Sequence, residues 1–353
     1  MCFALTFRRK MRASLRATFL AAACALLARA APPALIDVYA SGEFGYACFR
    51  IPALIALTNG SLLLFAEGRR YSCADHGFVD LVVRASSDGG ASWGALRVVR
   101  SESTPQKNVT IGNAAPLALS GNRVLLPFCR DNAAAGVLYS ADGGGSWSLR
   151  TAALPVAADW TWIATGPPGS AQLASGRVLV PANRIVGGVD ASFVYYSDDE
   201  GASWKMSQAV AKGNEAQAAL LPWLGAGAVL LSMRNAVGGG FRLAALSSDA
   251  GATFGAPWET IAETACEAST LALPQHAAGP RLVMSSAFAA SRTNMTLHVS
   301  SDAGRSWAPA ARVYEGSAAY SSLAPSAASP SAVVLAFERD GYAKISLVQR
   351  IDV

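Results

Sequence analysis

The chain of 353 residues carries 29 basic and 24 acidic side chains, a formal net charge of +5. Six basic residues (Arg8, Arg9, Lys10, Arg12, Arg16 and Arg29) and no acid fall within the first 30 positions, so the rest holds 23 basic against 24 acidic groups, a net −1. A chain that is close to neutral beyond its first 30 residues gives no electrostatic ground for nucleic-acid binding.

Those first residues have the layout of a secretory signal. A basic region is followed by an apolar run from Ala17 to Ala28, with small residues at Ala28 and Ala30. The run is short for a bilayer span and continuous rather than amphipathic, which favours a secreted or lumenal protein over an organelle transit peptide. We therefore expect residues 1–30 to be a signal peptide, residues 31–353 to form one domain, and the mature chain to have no transmembrane span. Cys2 and Cys24 would leave with the leader. The remaining Cys48, Cys73, Cys129 and Cys266 are too few for a disulfide scaffold, and no pair has CxxC spacing. Cys48 and Cys73 could pair if their strands are neighbours, but connectivity cannot be read from sequence. Sequons at Asn59, Asn108 and Asn294 suit a secreted chain.

From residue 35 onward the signals are those of strands and turns. "LIDVYA" (35–40) is an isolated strand. "YACFRIPAL" (46–54) sets Arg50 in an otherwise apolar run, with Pro52 tolerated where a strand begins. A charge placed there must be paired or must serve a ligand. "ALIAL", the turn "TNG", "SLLLFAE", "DLVVRAS" and "LRVVR" then spell one four-stranded unit around the box "SSDGGASW" (86–93). The box recurs as "SADGGGSW" (140–147), "SDDEGASW" (197–204), "SSDAGATF" (247–254) and "SSDAGRSW" (300–307). A repeat of roughly fifty residues points to a propeller. Within each box the Asp accepts backbone N–H groups, the Gly takes a positive φ, and the aromatic pins the loop to the sheet. The boxes specify fold, not activity. Further turns at "SGN" (120–122), "ASG" (174–176), "GAG" (225–227) and "AAG" (277–279) keep the period. A last unit without a box ("AYSSL", "AVVLAFE", "KISLVQRI") supplies three strands, so residues 35–40 are expected to add the fourth. The expected fold is an all-β, six-bladed β-propeller.

This topology sorts charges by face. Starts of first strands (Arg50, Glu215, Tyr320) and ends of second strands (Glu67, Arg69, Asp75, Arg234, Arg292, Glu338) converge on one mouth of the ring, away from the boxes.

"FRIP", "AEGRR", "CADHGFVDLVVR", "GNEAQ", "SMRN", "SRTNMTLHVSSDAG" and "GSAAYSSL", in this order and with five Asp boxes, resemble the sialidase (neuraminidase) family over nearly all of residues 45–350. The resemblance implies an exo-α-sialidase, a retaining glycoside hydrolase that releases terminal sialic acid from glycans, glycoproteins or glycolipids without a cofactor. It matches Arg50, Arg234 and Arg292 to the arginines that clamp the substrate carboxylate, Glu338 to the carboxylate that orients the first of them, and Arg69 to a pocket arginine. Guanidinium groups suit that clamp because each offers paired donors. It makes Tyr320 the nucleophile, Glu215 its base, and Asp75 the acid/base. A phenol in place of the usual second carboxylate avoids repulsion at an anomeric carbon that already bears a carboxylate. His76, His276 and His298 form no cluster, so no catalytic metal is expected. Three departures stand out: "YSSL" for "YSDL", "GNAAP" for a "GNP" run, and Glu267 where many members carry Gln, in a position that can touch substrate. A trans-sialidase, a hydrolase for a related 2-keto sugar acid, and a non-catalytic sialic-acid-binding propeller are the competing readings.

Overall fold

The computed structural model describes residues 33–263, 265–289 and 291–353, so the expected leader at 1–30 lies outside the described residues. Among them the only helix is a 3-10 turn at Ser120–Asn122. The rest is β-structure and loop. No described helix is long and apolar enough to cross a membrane.

The strands form antiparallel sheets in chain order. Cys48–Ala56, Leu62–Arg69, Val79–Ser86 and Arg97–Arg100 make the first, and Gly213–Leu220, Val229–Asn235, Phe241–Ser247 and Trp258–Ala262 repeat it. Between them lie two sheets whose innermost strand is broken: Ile111–Gly112 and Leu117–Ala118 both pair with Val124–Arg130, and Trp160–Thr165 and Ala171–Gln172 both pair with Val178–Val186. The breaks fall at "GNAAP" and "GPPGS", where prolines remove ladder donors. The last sheet has seven strands. Its 18-residue strand Ala308–Pro325 pairs with Thr293–Ser300 through its first half and with Ala332–Arg339 through its second. Ile36–Ala40 forms the outer edge of that sheet against Lys344–Asp352, as residues 35–40 were expected to do.

Each sheet packs on the next. Val38, Tyr39, Phe49, Leu64, Ala336 and Leu347 join the first sheet to the last, and Leu63, Phe65, Val109, Leu126 and Phe128 join the first to the second. A side chain of this size contributes roughly 1.5–3 kcal/mol when fully buried. The arrangement is β-propeller-like.

The boxes have one geometry. In the first, Asp88 Oδ1 accepts the Ser92 N–H at 2.9 Å, and the opening Ser86 hydroxyl donates to Asp88 at 2.7 Å while accepting the Gly90 N–H at 2.8 Å. Ser140, Ser197, Ser247 and Ser300 repeat that double role. The opening serine is therefore as structural as the aspartate, which the sequence pattern alone does not reveal.

Candidate active site

All nine residues picked out at the mouth come together. Each first-strand residue sits where the ladder slips register: between Arg50 and Ala53, between Gly213 and Ala216, and between Ala318 and Ser321. Such bulges re-aim a side chain and free backbone groups from the ladder. Ile51 shows the strain, with a φ of 58° that a β-branched residue rarely adopts. Its N–H points at Glu338 Oε1, 2.8 Å away.

Glu338, fully buried, is the hub of one half of the site. Arg50 Nε and Nη2 donate to its two oxygens at 2.8 and 3.1 Å, and the Tyr320 N–H donates to Oε2 at 3.1 Å. This buried charge is compensated by a fork of paired donors. Arg50 also lies 3.5 Å from Asp75 and stacks on Tyr342, 3.9 Å from the ring centre. Tyr342 has no counterpart among the expected site residues. It occupies a turn in which Asp340, Gly341 and Tyr342 all have positive φ, and its hydroxyl accepts from Arg292 Nη1 at 2.9 Å. Among the described residues Arg292 makes no ion pair, and its guanidinium lies 5.5 Å from the Tyr320 ring centre.

The other half is built on Tyr320 and Glu215. The Tyr320 hydroxyl donates to Glu215 Oε1 through a short hydrogen bond, and Arg234 Nη1 donates to Oε2 at 3.1 Å. Burial and the Glu215 charge hold the Tyr320 phenol well above its ordinary range, so it keeps its proton in the resting protein.

Arg69 Nε and Nη2 donate to Glu67 Oε2 at 3.1 and 2.7 Å, and Nη1 donates to the Cys73 carbonyl and to Asp75 Oδ1 at 2.6 and 2.8 Å. Glu67 in turn accepts the Asn113 N–H at 2.9 Å. That approach requires glycine at 112, because a Cβ there would collide with the Glu67 carboxylate. Asp75 itself is 72% exposed. Partial enclosure opposes its ionisation, yet the Arg69 hydrogen bond and the Arg69 and Arg50 charges hold it below the usual carboxylate range.

The Asp75 loop is stapled to the strand bearing Arg50 by a Cys48–Cys73 disulfide, the pairing that sequence left open. A bridge closing a loop of this length contributes about 3 kcal/mol. Cys73→Ser should lower unfolding free energy by about that amount, read by urea titration; a variant as stable as wild type would remove the staple's structural role. Cys129 and Cys266 are free and buried.

One expectation fails. Glu267 does not face the mouth: it is 1% exposed and lies beneath Tyr320, accepting the Ser321 N–H at 2.8 Å. It belongs to an irregular segment, where no alternation pattern says which way a side chain turns. At the "YSSL" departure, the Ser322 hydroxyl accepts the Leu54 N–H at 2.8 Å and so links the last sheet to the first.

Residues 55–331 match the BNR repeat-like domain family. A sialidase of Micromonospora viridifaciens is 28% identical over 326 residues, covering 81% of this chain and 49% of that protein. Sialidase-4 of Homo sapiens is 30% identical over 268 residues, covering 64% of this chain and 54% of the relative. The chain thus spans about half the length of both relatives. Among solved structures, a Hadza microbial sialidase superimposes with a TM-score of 0.80 at 22% identity, over 90% of this chain and 68% of that one. The Trypanosoma rangeli sialidase does so with a TM-score of 0.73 at 17% identity, over 90% and 59%. At these identities the structural likeness speaks for the fold.

Proposed function

The chain belongs to the sialidase family, and on that premise we propose that it is a retaining exo-α-sialidase acting on terminal sialic acid of glycoconjugates. One observation carries the reading: a buried tyrosine hydroxyl bonded to a carboxylate, beneath guanidinium groups from three separate strands or loops. Arg50, Arg234 and Arg292 bind the sugar carboxylate, with Arg50 fixed by Glu338. Glu215 takes the proton of Tyr320 as the phenol oxygen attacks the anomeric carbon. Asp75 protonates the departing oxygen and then activates the water that releases the sugar. A merely binding propeller has no need for the Tyr320–Glu215 pair. The disulfide supports an oxidising compartment for the protein.

The same proposal reads the fold as six blades. The seven-stranded sheet then comprises two blades sharing the strand Ala308–Pro325, and Ile36–Ala40 closes the ring. A crystallographic ring of five or seven blades would rule this out.

The activity test is release of a fluorogenic aglycone from an α-sialoside, with the first-formed anomer followed by NMR. Retention is expected, and inversion ends the scheme. Arg234→Lys keeps a charge but loses paired donation, so affinity for free sialic acid should fall by about 1.5–3 kcal/mol. Calorimetric titration measures it, with Tm nearly unchanged because Arg234 lies partly exposed at the mouth. Unaltered binding would place Arg234 outside the clamp.

A further inference from the structure

Beneath the nucleophile lies a carboxyl group that the chemistry above does not use. Glu267 sits between the strands Trp258–Ala262 and Ser269–Leu273. Its Oε2 accepts the Ser321 N–H, and its Oε1 lies 3.4 Å from Gln217 Nε2. Among the described residues it makes no ion pair. Arg242, the cation that acts on it, already donates to Ser232, Glu263, Gln217 and the carbonyls of Cys266 and Ala268. Two carboxylates bear on it as well, Glu215 from Gly213–Leu220 and Glu338 from Ala332–Arg339, with the Tyr320 and Cys266 side chains beside them.

A fully buried carboxylate with one good donor and no partner charge holds its proton rather than remain ionised. Burial and the charges of Glu215 and Glu338 push Glu267 in that direction. The slip between Ala318 and Ser321 frees the Tyr320 N–H, which Glu338 takes, while the next N–H, that of Ser321 on the open edge of the strand, goes to Glu267. The Glu338 charge is met by Arg50; Glu267 has no such match.

We propose that Glu267 is a positioning residue: a neutral carboxylic acid that fixes Tyr320 through the Ser321 peptide, and whose ionisation as pH rises turns the site off. The proposal rests on Tyr320 being the nucleophile. An ionised Glu267 adds a third negative charge beside Glu215 and Glu338, which opposes both an anionic substrate and phenolate character on Tyr320.

Glu267→Gln keeps an oxygen for the Ser321 N–H and cannot ionise; Glu267→Ala loses both. Measuring kcat/KM against pH on an aryl α-sialoside removes the need for a proton from Asp75. The Gln variant should match wild type at acid pH and exceed it by at least about tenfold on the alkaline limb, one pH unit being tenfold in protonation. The Ala variant should lose kcat at every pH. Superimposable profiles for wild type and the Gln variant would overturn the proposal. Thermal melting reads the same proton without turnover. The folded protein holds a proton that the unfolded chain releases, so wild type loses stability as pH rises from the ordinary glutamate range toward the folded value. The Tm gap between the Gln variant and wild type should widen with pH, and a constant gap overturns the neutral acid. Wild type inactive on every α-sialoside defeats the nucleophile assignment and the positioning role with it, while the melting gap still reports the acid separately.

Discussion

Tyr320→Phe should lower kcat/KM on an unactivated α-sialoside by at least about 10⁴-fold, the scale on which removal of a covalent nucleophile is felt. The hydroxyl is the atom that would bond to the sugar, and it lies between Glu215 and the guanidinium groups of Arg50 and Arg292. Its resting phenol keeps its proton, so nucleophilicity depends on Glu215 accepting that proton during attack. Glu215→Gln should therefore approach the same loss while leaving sialic acid affinity within a few fold, because the amide still occupies the space and Arg50 and Arg292 keep their places. A 3-fluoro sialyl fluoride, which slows release of the covalent sugar, should label wild type on Tyr320, read by peptide mass mapping. A label on Asp75 or Glu215 would overturn the assignment. Full turnover by Tyr320→Phe would instead show that water attacks directly.

The sequence located these groups because topology is periodic and the mouth collects fixed positions in the repeat. Arg50 and Glu215 lie at the start of first strands, Tyr320 lies just past the point where the strand Ala308–Pro325 changes partner, and Arg69, Arg234 and Glu338 lie at the ends of second strands, so convergence followed from strand order. What stayed illegible is local backbone. The three register slips beside Arg50, Glu215 and Tyr320 leave no compositional trace beyond Pro52, and no pattern announces a positive φ at Ile51. Tyr342 follows a turn whose conformation, not its spacing, lays the ring beneath Arg50. Arg69 reads as a group for the sugar, yet its nitrogens are engaged by Glu67, Cys73 and Asp75, a network made by a loop that sequence alone cannot fold. Glu267 turned inward for the same reason.

Asp75→Ala should divide substrates by leaving group. On an alkyl or glycosyl α-sialoside kcat/KM should fall by about 10²–10⁴-fold, the range for a positioned proton donor, whereas an aryl sialoside with an acidic phenol should lose less than about tenfold. The structure adds a constraint on pH. Asp75 is exposed but held ionised by Arg69 and Arg50, so in the free enzyme the acid form is abundant only toward low pH. A sugar carboxylate bound at Arg50 offsets one of those charges, and a sugar lying over the loop removes water from the other side. Both changes raise the proton affinity of Asp75 when a proton is needed. Because kcat/KM reports the free enzyme, its value for alkyl sialosides should decline with rising pH above the range where Asp75 ionises, and kcat should decline only at a higher pH. The aryl substrate should lack that early decline, and so should Asp75→Ala on either substrate. Identical pH profiles for alkyl and aryl sialosides in the wild-type enzyme would take the proton-donor role away from Asp75.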